Sequence, residues 1–354
     1  MFEFTTTRHN PLIDPQLAVW SWEIPVYLFL GGLVAGLMVL GGLALRRIAR
    51  GDADGGRFDL QAPLLGFVLI NLGMLALLLD LTHKLYVWRV YLTFQASSPM
   101  SWGSWLLLAV YGVLLLSALV RLPEAWPWLA RRVPAVQRAS DALLARPVRL
   151  AALAWTNVVL GAGLGLYTGI LLSTMVARPL WNSALLAPLF LFSGLSAGAA
   201  TLHLAASLRG PRAAPDGLLA GAAAAMVQRL RDHWPDRRAS ESLLRADMAF
   251  MAVELAVIAL LLLNLATSSA SHAAAALLVS GSYAWVFWGL VVGLGLLVPL
   301  ALQALELGHR IPHTLVPACL VLAGGFALRW VLVGAGQASE LLPLSSFVPW
   351  TFIP

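Results

Sequence analysis

The sequence is poor in cysteine and in charged residues. Its 354 residues include one cysteine, Cys319, and 11% charged residues. A single cysteine excludes a disulfide within the chain and any iron–sulfur cluster or zinc site built on several cysteines. Soluble domains carry about 25% charged residues, so this composition excludes a soluble globular protein. We interpret Cys319, inside an apolar run, as a small core residue.

Several sequence motifs are also missing. No Gly-rich phosphate-binding loop, CxxC pair or nucleophile elbow occurs. Haem held by two histidines needs a pair at one depth, but His83 is expected at the outer end of span 2 and His203 at the inner end of span 5. The other five histidines fall in loops or at span ends. The sequence therefore predicts no haem and no bound metal in this chain. The first 19 residues lack a basic region, so we expect no cleavable signal.

Long apolar runs are what the sequence has instead. Hydrophobic residues make up 60% of the chain. A bilayer core of about 30 Å needs roughly 20 apolar residues per helix. Eight runs of that length predict an all-α, multi-pass membrane protein, with spans near 23–46, 61–84, 101–121, 150–174, 184–208, 244–266, 282–304 and 312–335.

The positive charges predict the orientation. Most of the 23 Lys and Arg residues lie in the segments that join spans 1–2, 3–4, 5–6 and 7–8. The positive-inside rule places these segments in the cytoplasm and both termini outside. The net charge of +6 is thus spread over short loops, and we expect no nucleic-acid partner. Loop 122–148 is expected to form an amphipathic helix on the membrane surface, and loop 210–243 another.

A faint internal repeat predicts how the spans are grouped. YLFLGGLVAG at 27–36 resembles LFLFSGLSAG at 189–198, with Gly32 matching Gly194 and Gly36 matching Gly198. Both segments lie in outside-to-inside spans, which indicates a parallel duplication and two packed four-helix bundles. Chance similarity between Gly- and Leu-rich spans is the alternative.

Ionisable groups gather at the outer ends of the first four spans. Such groups are costly in a membrane and usually functional. A quinone headgroup needs a donor at each carbonyl oxygen and a proton-exchanging group nearby. His83, with an ordinary pKa near 6.5, suits proton exchange with outer water. The polar groups of three helices therefore predict a quinone site from Glu23, Tyr27, Asp80, His83 and Tyr167, with Asp80 and His83 on one helical face.

Each of these residues also has a plainer interpretation. Tyr27 and Tyr167 fit the aromatic belt of a membrane protein. His83 beside Lys84 fits a solvated helix end. Asp80 fits a neutralising or capping role there, and Glu23 fits a pair with an outer loop.

The last four spans contain buried charges of their own. Asp247 and Glu254 are seven residues apart on span 6, hence on one face, and Arg329 lies inside span 8. Glu306 ends span 7 at the cytoplasmic side. The hypothesis is a proton path of Asp247, Glu254 and Glu306, with Arg329 as the counter-charge. A structural ion pair that locks helices is the alternative. His203 is interpreted as packed or solvated.

Four segments carry a family resemblance: WSWEIPVYLFLGGLVAG at 20–36, LDLTHKLYVWRVYLTFQASSPMSWGSW at 79–105, YTGILLSTMVARPLWNSALLAPLFLFSGLSAG at 167–198, and LRWVLVGAGQ at 328–337. They resemble the integral membrane subunit of the polysulfide reductase/NrfD family. The chain departs from some members, which carry Asn and His on the first helix where Ile24 and Tyr27 align here.

The resemblance implies a membrane anchor and quinone-interacting electron-transfer subunit of a respiratory oxidoreductase, with no redox metal of its own. It implies a menaquinone or ubiquinone pocket near the outer face, beside a ferredoxin-type iron–sulfur subunit that relays electrons to or from a catalytic subunit, commonly molybdopterin-containing. It also implies location in the bacterial inner membrane, with proton coupling proposed for some members. Carried onto this chain, the pocket uses Tyr27, Asp80, His83 and Tyr167, with Glu23 and Trp22 close by.

The expected organisation is a periplasmic segment 1–22, a quinone-site bundle 23–174, a second bundle 175–335 and a periplasmic tail 336–354. The competing class is a secondary transporter with a midplane charged site, but transporters favour inverted repeats and broken helices. A pure anchor leaves Asp80, His83 and Glu23 unexplained.

Overall fold

The described part of the chain is helical throughout. The computed structural model describes residues 20–51, 58–125, 127–207, 237–267, 271–311 and 314–339. In this part the helices are α1 (Glu23–Ala49), α2 (Phe58–Asp80), α3 (Arg89–Leu92), α4 (Pro99–Ala125), α5 (Pro127–Arg132), α6 (Pro134–Leu144), α7 (Pro147–Ser173), α8 (Leu186–Ser207), α9 (Arg237–Thr267), α10 (His272–Val279), α11 (Val286–Leu307) and α12 (Val316–Ala338).

Eight of these helices are long and apolar enough to cross a membrane, as predicted. They are α1, α2, α4, α7, α8, α9, α11 and α12. The chain is therefore a multi-pass membrane protein. Helix α11 is wound as a π-helix over Val286–Leu297 and as an α-helix over Val298–Leu307. Most of loop 210–243, the first 19 residues and residues 340–354 lie outside the described part.

The end of α2 differs from the prediction. The helix stops at Asp80, and His83 has φ −112° and ψ 68°, which is not helical. Asp80 and His83 therefore do not share a helical face, and that part of the prediction was wrong. Apolar residues continue past Asp80 in the sequence, so hydropathy alone places the boundary too late.

Loop 122–148 also differs in detail. Helix α4 continues into it, and two shorter helices, α5 and α6, follow instead of one. Pro127 and Pro134 begin these helices, because proline fits a first helical turn but interrupts a helix interior. Ser140 of α6 is buried and donates a hydrogen bond to the carbonyl oxygen of Val120, 2.6 Å away, so α6 packs on the end of α4.

Helix α1 is central among the described helices. It packs against α2, α7, α8 and α12, while α8 also packs against α7, α9 and α12. More than half of the residues of α1 are buried. Cys319 of α12 is exposed, contrary to the prediction of a core position. The lipid-facing and core faces of a membrane helix are both apolar, so its sequence context does not tell them apart.

The repeated glycines bring α1 and α8 into direct contact. A Cβ on Gly198 would lie 2.8 Å from the Cα of Gly36, and one on Gly194 would lie 2.5 Å from the carbonyl oxygen of Gly32. Real Cβ atoms do not approach backbone this closely, so only glycine permits the crossing. Close backbone approach at small residues is a main source of helix association in membranes. The glycines that match each other in sequence thus meet in space.

Candidate functional site

A large apolar cavity lies at the end of the helix array where α1 begins, which we name the Glu23 end. Its volume is about 470 Å³, and α1, α2, the 81–98 connection, α4 and α7 supply its walls. Small-molecule sites have volumes of about 300–1,000 Å³ and are mostly apolar, with a few placed polar groups. We name this space the tyrosine cavity, after Tyr27, Tyr91 and Tyr167, which line it.

The three tyrosines are close enough to interact electrostatically. Tyr27 has the side chains of both Tyr167 and Tyr91 within electrostatic range. Tyr167 is 7% exposed, and its hydroxyl packs against the main chain of Gly103. Burial raises the pKa of Tyr91, which lies outside the spanning helices, above its ordinary value of 10.0. Its hydroxyl therefore stays protonated at neutral pH and is able to donate a hydrogen bond.

A side-chain amide is held at the same cavity. Asn71 of α2 lines it. Its Nδ2 donates to the carbonyl oxygen of Phe67 at 2.6 Å, while its Oδ1 accepts a hydrogen bond of 3.3 Å from the hydroxyl of Tyr111. Both bonds fix the orientation of the amide. Sequence reasoning missed Asn71, although an asparagine within the apolar run LLGFVLINLGML was a usable signal.

The 81–98 connection forms the wall of the cavity between α2 and α4. The main-chain N–H of Gln95 donates to Ser101 Oγ at 2.9 Å, and Trp102 Nε1 donates to the carbonyl oxygen of Ala96 at 2.8 Å. The rings of Phe94 and Trp105 meet edge to face with centroids 6.0 Å apart. These contacts hold the connection against the start of α4, and so they hold Tyr91 in the cavity wall.

The predicted quinone residues divide into two sets. Tyr27 and Tyr167 line the tyrosine cavity, whereas Glu23, Asp80 and His83 are not among its lining side chains. Asp80 is partly buried and interacts electrostatically with Glu23, so the two carboxyl groups are neighbours. His83 is exposed. Sequence reasoning also missed Tyr91, which lay within a segment it had singled out.

The start of α1 is tied to the end of α12. Gln337 Nε2 donates to the carbonyl oxygen of Trp20 at 2.9 Å, and the N–H of Trp20 donates to Gln337 Oε1 at 2.8 Å. Trp22, the remaining predicted residue, is 48% exposed and is also not among the lining side chains. In the described part of the chain, Glu23 Oε2 is buried without a hydrogen-bond partner. The two hydrogen bonds between Gln337 and Trp20 thus position the helix that carries Glu23 and Tyr27.

Arg178 makes further hydrogen bonds at the same end of the protein, to the C-terminus of α12. Its Nη1 donates to the carbonyl oxygens of Gln337 at 2.6 Å and Ser339 at 2.8 Å, which end α12. A cation at a helix C-terminus is favoured by the helix dipole. The indole of Trp181 stacks on Trp20, with centroids 5.1 Å apart, and donates to the carbonyl oxygen of Leu332 at 2.8 Å.

Arg329 occupies a buried polar cluster among α1, α8, α9 and α12. Its side chain is fully buried, and Nη1 donates to Ser193 Oγ and, at 3.0 Å, to the carbonyl oxygen of Gly325. Nη2 donates to the carbonyl oxygen of Phe190 at 3.3 Å. Glu254, 2% exposed, interacts with both Ser193 and Arg329. A buried guanidinium needs such partners, as the sequence predicted.

Asp247 and Glu306 lie toward the opposite end of the array, which we name the Glu306 end. Asp247 is 3% exposed and accepts hydrogen bonds from Ser196 Oγ at 2.6 Å and Gln303 Nε2 at 2.7 Å. Glu306 is 1% exposed, and its Oε1 accepts from the main-chain N–H and the hydroxyl of Thr314 at 3.0 and 3.2 Å. The structure therefore brings Glu254 and Arg329 together. From this pair, further buried polar side chains, Asp247 and then Glu306, follow toward the Glu306 end.

Within the described ranges, no three His, Cys, Asp or Glu side chains come together as ligands for a metal ion. The donor set at the tyrosine cavity is hydroxyl and amide groups, which suit the carbonyl oxygens of an organic ligand.

Comparison with known proteins identifies the family. Residues 10–339 match the family described as "Polysulphide reductase, NrfD". The chain belongs to the NrfD family. It is 30% identical over 336 residues to one of the chains of the polysulfide reductase of Wolinella succinogenes, covering 90% of this sequence and 94% of that protein. It is 30% identical over 328 residues to protein NrfD of Escherichia coli, covering 90% and 95%.

A third NrfD-family relative, from Haemophilus influenzae, is 26% identical over 347 residues, covering 92% of this sequence and 97% of that protein. The four segments that carried the resemblance all lie within the matched range. The family match thus spans every described helix, and it does not favour the secondary-transporter alternative.

Proposed function

We propose that this NrfD-family chain is the membrane anchor and quinone-interacting subunit of a multisubunit respiratory oxidoreductase in the bacterial inner membrane. The tyrosine cavity is the observation that carries this proposal. It lies among helix ends, is mostly apolar, and is lined by Tyr27, Tyr91 and Tyr167. The eight spans form two four-helix bundles in this proposal, α1–α7 and α8–α12, with both termini on the periplasmic side.

The cavity fits a quinone by its chemistry. The ring and isoprenoid tail of a quinone are apolar, and its two carbonyl oxygens accept hydrogen bonds. Tyrosine hydroxyls supply donors, and apolar residues such as Met74, Leu78 and Leu171 line much of the remaining surface. A bound quinone supplies the two-electron, two-proton redox chemistry that the residues of this chain lack.

The residues of this chain then have separate roles. Tyr27 and Tyr167 hold the headgroup by hydrogen bonds, since both line the cavity. Glu23 and Asp80 accept or return protons at the edge of the site, and exposed His83 exchanges them with periplasmic water. Each quinol that is oxidised releases two protons and two electrons. In that direction the protons leave by these groups and the electrons pass to an iron–sulfur subunit, and in quinone reduction both flows are reversed.

The partners follow from the resemblance. A ferredoxin-type iron–sulfur subunit docks at the Glu23 end, on the periplasmic side, and exchanges electrons with a catalytic subunit of molybdopterin type. The Wolinella succinogenes relative is, by its name, one of several chains of a polysulfide reductase. The quinone is menaquinone or ubiquinone.

The second polar cluster supports a proton path in the same subunit. Asp247 and Glu254 lie seven residues apart on α9, Arg329 is close to Glu254, and Glu306 lies nearer the cytoplasmic end. Charged groups within spans are costly and commonly serve transport or proton relay. Glu254→Gln is expected to lower proton translocation while quinone affinity is unchanged. If neither changes, the cluster is a structural lock between helices.

The quinone proposal is tested on the purified complex. Bound quinone is extracted and quantified, and quinone affinity is measured for Tyr27→Phe and Tyr167→Phe. Loss of one neutral hydrogen bond costs about 0.5–1.5 kcal/mol, which is about 2–13-fold in affinity. Tyr86→Phe is the matched control, because Tyr86 is 52% exposed at the same end and does not line the cavity. Unchanged affinity in both cavity variants would refute the assignment of the site.

The proton-exchange roles have their own test. Asp80→Asn and His83→Ala are expected to slow quinone-linked turnover with little effect on quinone affinity, because neither residue lines the cavity. Unchanged turnover in both variants would remove Asp80 and His83 from the mechanism and leave the tyrosine site standing.

A further inference from the structure

A second, very small cavity lies at the Glu306 end, between α8, α9, α11 and α12. Its volume is about 10 Å³, which is room for one water molecule. Four polar side chains line it, and the remaining lining residues are apolar. The polar four are His203, Asp247, Gln303 and Glu306.

Gln303 gives this cavity an unused acceptor. The side chain is 4% exposed, and its Nε2 donates to Asp247 Oδ2 at 2.7 Å. Its Oε1 is buried and has no hydrogen-bond partner in the described part of the chain. Rotating the amide by 180° would place Oε1 against a carboxylate oxygen, so the hydrogen bond to Asp247 fixes the orientation. Buried acceptors nearly always have a partner, protein or water.

The acidic neighbours are already engaged as acceptors. Asp247 accepts from Ser196 and Gln303, and Glu306 accepts from Thr314. An ionised carboxylate has no proton to donate to Gln303 Oε1. A water molecule in the cavity has two protons to donate and two lone pairs, and a buried water typically makes two to four hydrogen bonds.

We infer that the small cavity binds one ordered water molecule between the carboxyl groups of Asp247 and Glu306, which donates one hydrogen bond to Gln303 Oε1 and the other to Asp247. Gln303 is then a positioning residue: it holds the water and Asp247 at once. In a transfer step, Glu306 first takes up a proton from the Glu306 end of the protein, and its O–H bond then breaks as one forms to the water oxygen. One O–H bond of the water breaks as one forms at Asp247, so the water is regenerated.

The binding of the water stands on the cavity and Gln303 alone, while its role in relay rests on the proton path proposed above. The experiment therefore measures the two separately. The first measurement is a high-resolution structure of the wild-type complex. We expect density for one water within about 2.6–3.2 Å of Gln303 Oε1. A protein donor on Oε1 with no density in the cavity would overturn the inference.

The second measurement uses Gln303→Met, which keeps the length of the side chain and removes its polar atoms. We expect loss of the water density and of proton translocation, with quinone affinity and electron transfer retained. Gln303→Glu keeps an oxygen acceptor and, with one proton shared between its carboxyl group and Asp247, a hydrogen bond to Asp247. It is expected to keep the water, and loss of the water density in this variant would count against the inference where the methionine variant does not assemble. Asn157→Leu is the control, because Asn157 is a buried amide on α7, away from this cavity.

The outcomes separate the claims. Wild-type proton translocation in Gln303→Met would remove the relay role from the bound water. Absence of quinone-linked activity in the wild-type complex would refute the proposed function and leave the water density as it is. Density with about six to eight oxygen ligands at about 2.3–2.6 Å would replace the water by a metal cation and overturn the inference.

Discussion

Replacing Gly103 by alanine is expected to impair the tyrosine cavity through a single added methyl group. A Cβ at Gly103 would overlap the hydroxyl oxygen and Cζ of Tyr167, and it would lie 2.5 Å from Cε1. Carbon atoms in contact are normally about 3.5–4.0 Å apart, so the ring of Tyr167 has to move by about 1 Å or more. The methyl group is on the rigid helix α4, and the tyrosine is the part that yields.

The size of the effect follows from what the displaced hydroxyl does. If Tyr167 donates to a quinone oxygen, its displacement costs that hydrogen bond, about 0.5–1.5 kcal/mol, or about 2–13-fold in affinity. Misplacement of a positioned group by about 1 Å also slows catalysis by up to about 100-fold. The assay is quinone affinity and quinol-linked turnover of the purified complex.

Two comparisons isolate the steric cause. Gly112 is on the same helix, and a Cβ added there would have no atom within 4 Å. Gly112→Ala is therefore the control and is expected to leave quinone affinity unchanged. In a Tyr167→Ala background, Gly103→Ala is expected to add little, because the overlapping ring is gone; such non-additivity marks direct coupling. Wild-type affinity in Gly103→Ala, or full additivity in the double variant, would refute the reasoning.

Three further predictions concern stability. Gly198→Leu is expected to lower the thermal midpoint in detergent, because its side chain has no space against the backbone of α1 and overpacking costs about 1–3 kcal/mol. Gln337→Ala removes both hydrogen bonds to the main chain before α1, and faster hydrogen exchange in the first turn of α1 is expected. Arg329→Met leaves Glu254 buried without its cation and is expected to cost about 3–5 kcal/mol. Glu254→Gln in the same chain is expected to restore part of that loss.

Each of these three predictions has a control variant or a result that would contradict it. An added Cβ at Gly163 would meet only the flexible end of Leu106, 3.9 Å away, so Gly163→Ala is expected to leave the thermal midpoint nearly unchanged. A loss as large as that of Gly198→Leu would show that close contact between α1 and α8 is not the cause. Unchanged exchange in Gln337→Ala would show that the stacking of Trp20 on Trp181 alone holds the segment. A double variant no more stable than Arg329→Met would show that charge pairing is not what the arginine provides.

The contrast between Tyr167 and His83 shows how far sequence reasoning reaches. Both were predicted as ligands of one quinone headgroup, from their polarity near span ends. Tyr167 lies in the cavity wall, but His83 is exposed beyond the end of α2. Hydropathy does not mark where a helix ends when apolar residues continue into the next turn, so the helical face drawn through Asp80 and His83 was wrong.

The glycine repeat shows a different limit. The match of Gly32 with Gly194 and of Gly36 with Gly198 was visible in the sequence, and it pointed to a duplicated helix. That the two copies pack against each other was not visible, because similarity between segments carries no information about their contact. Tyr91 and Asn71 were missed for the same reason: their place at the cavity depends on helices distant in the sequence.

The sequence by itself determined the membrane class, the eight spans, the family and the need of Arg329 for buried partners. The family was visible in short sequence segments. The other properties are local too, because the hydrocarbon core demands about 20 apolar residues per helix and a partner for every buried charge. Only the tertiary structure decided that Tyr27, Tyr91 and Tyr167 share one cavity, and that Gln303 joins Asp247. Contacts between helices depend on how each helix is rotated about its axis and how closely it packs. The sequence does not show this, because a helix face that contacts lipid is as apolar as one that contacts protein.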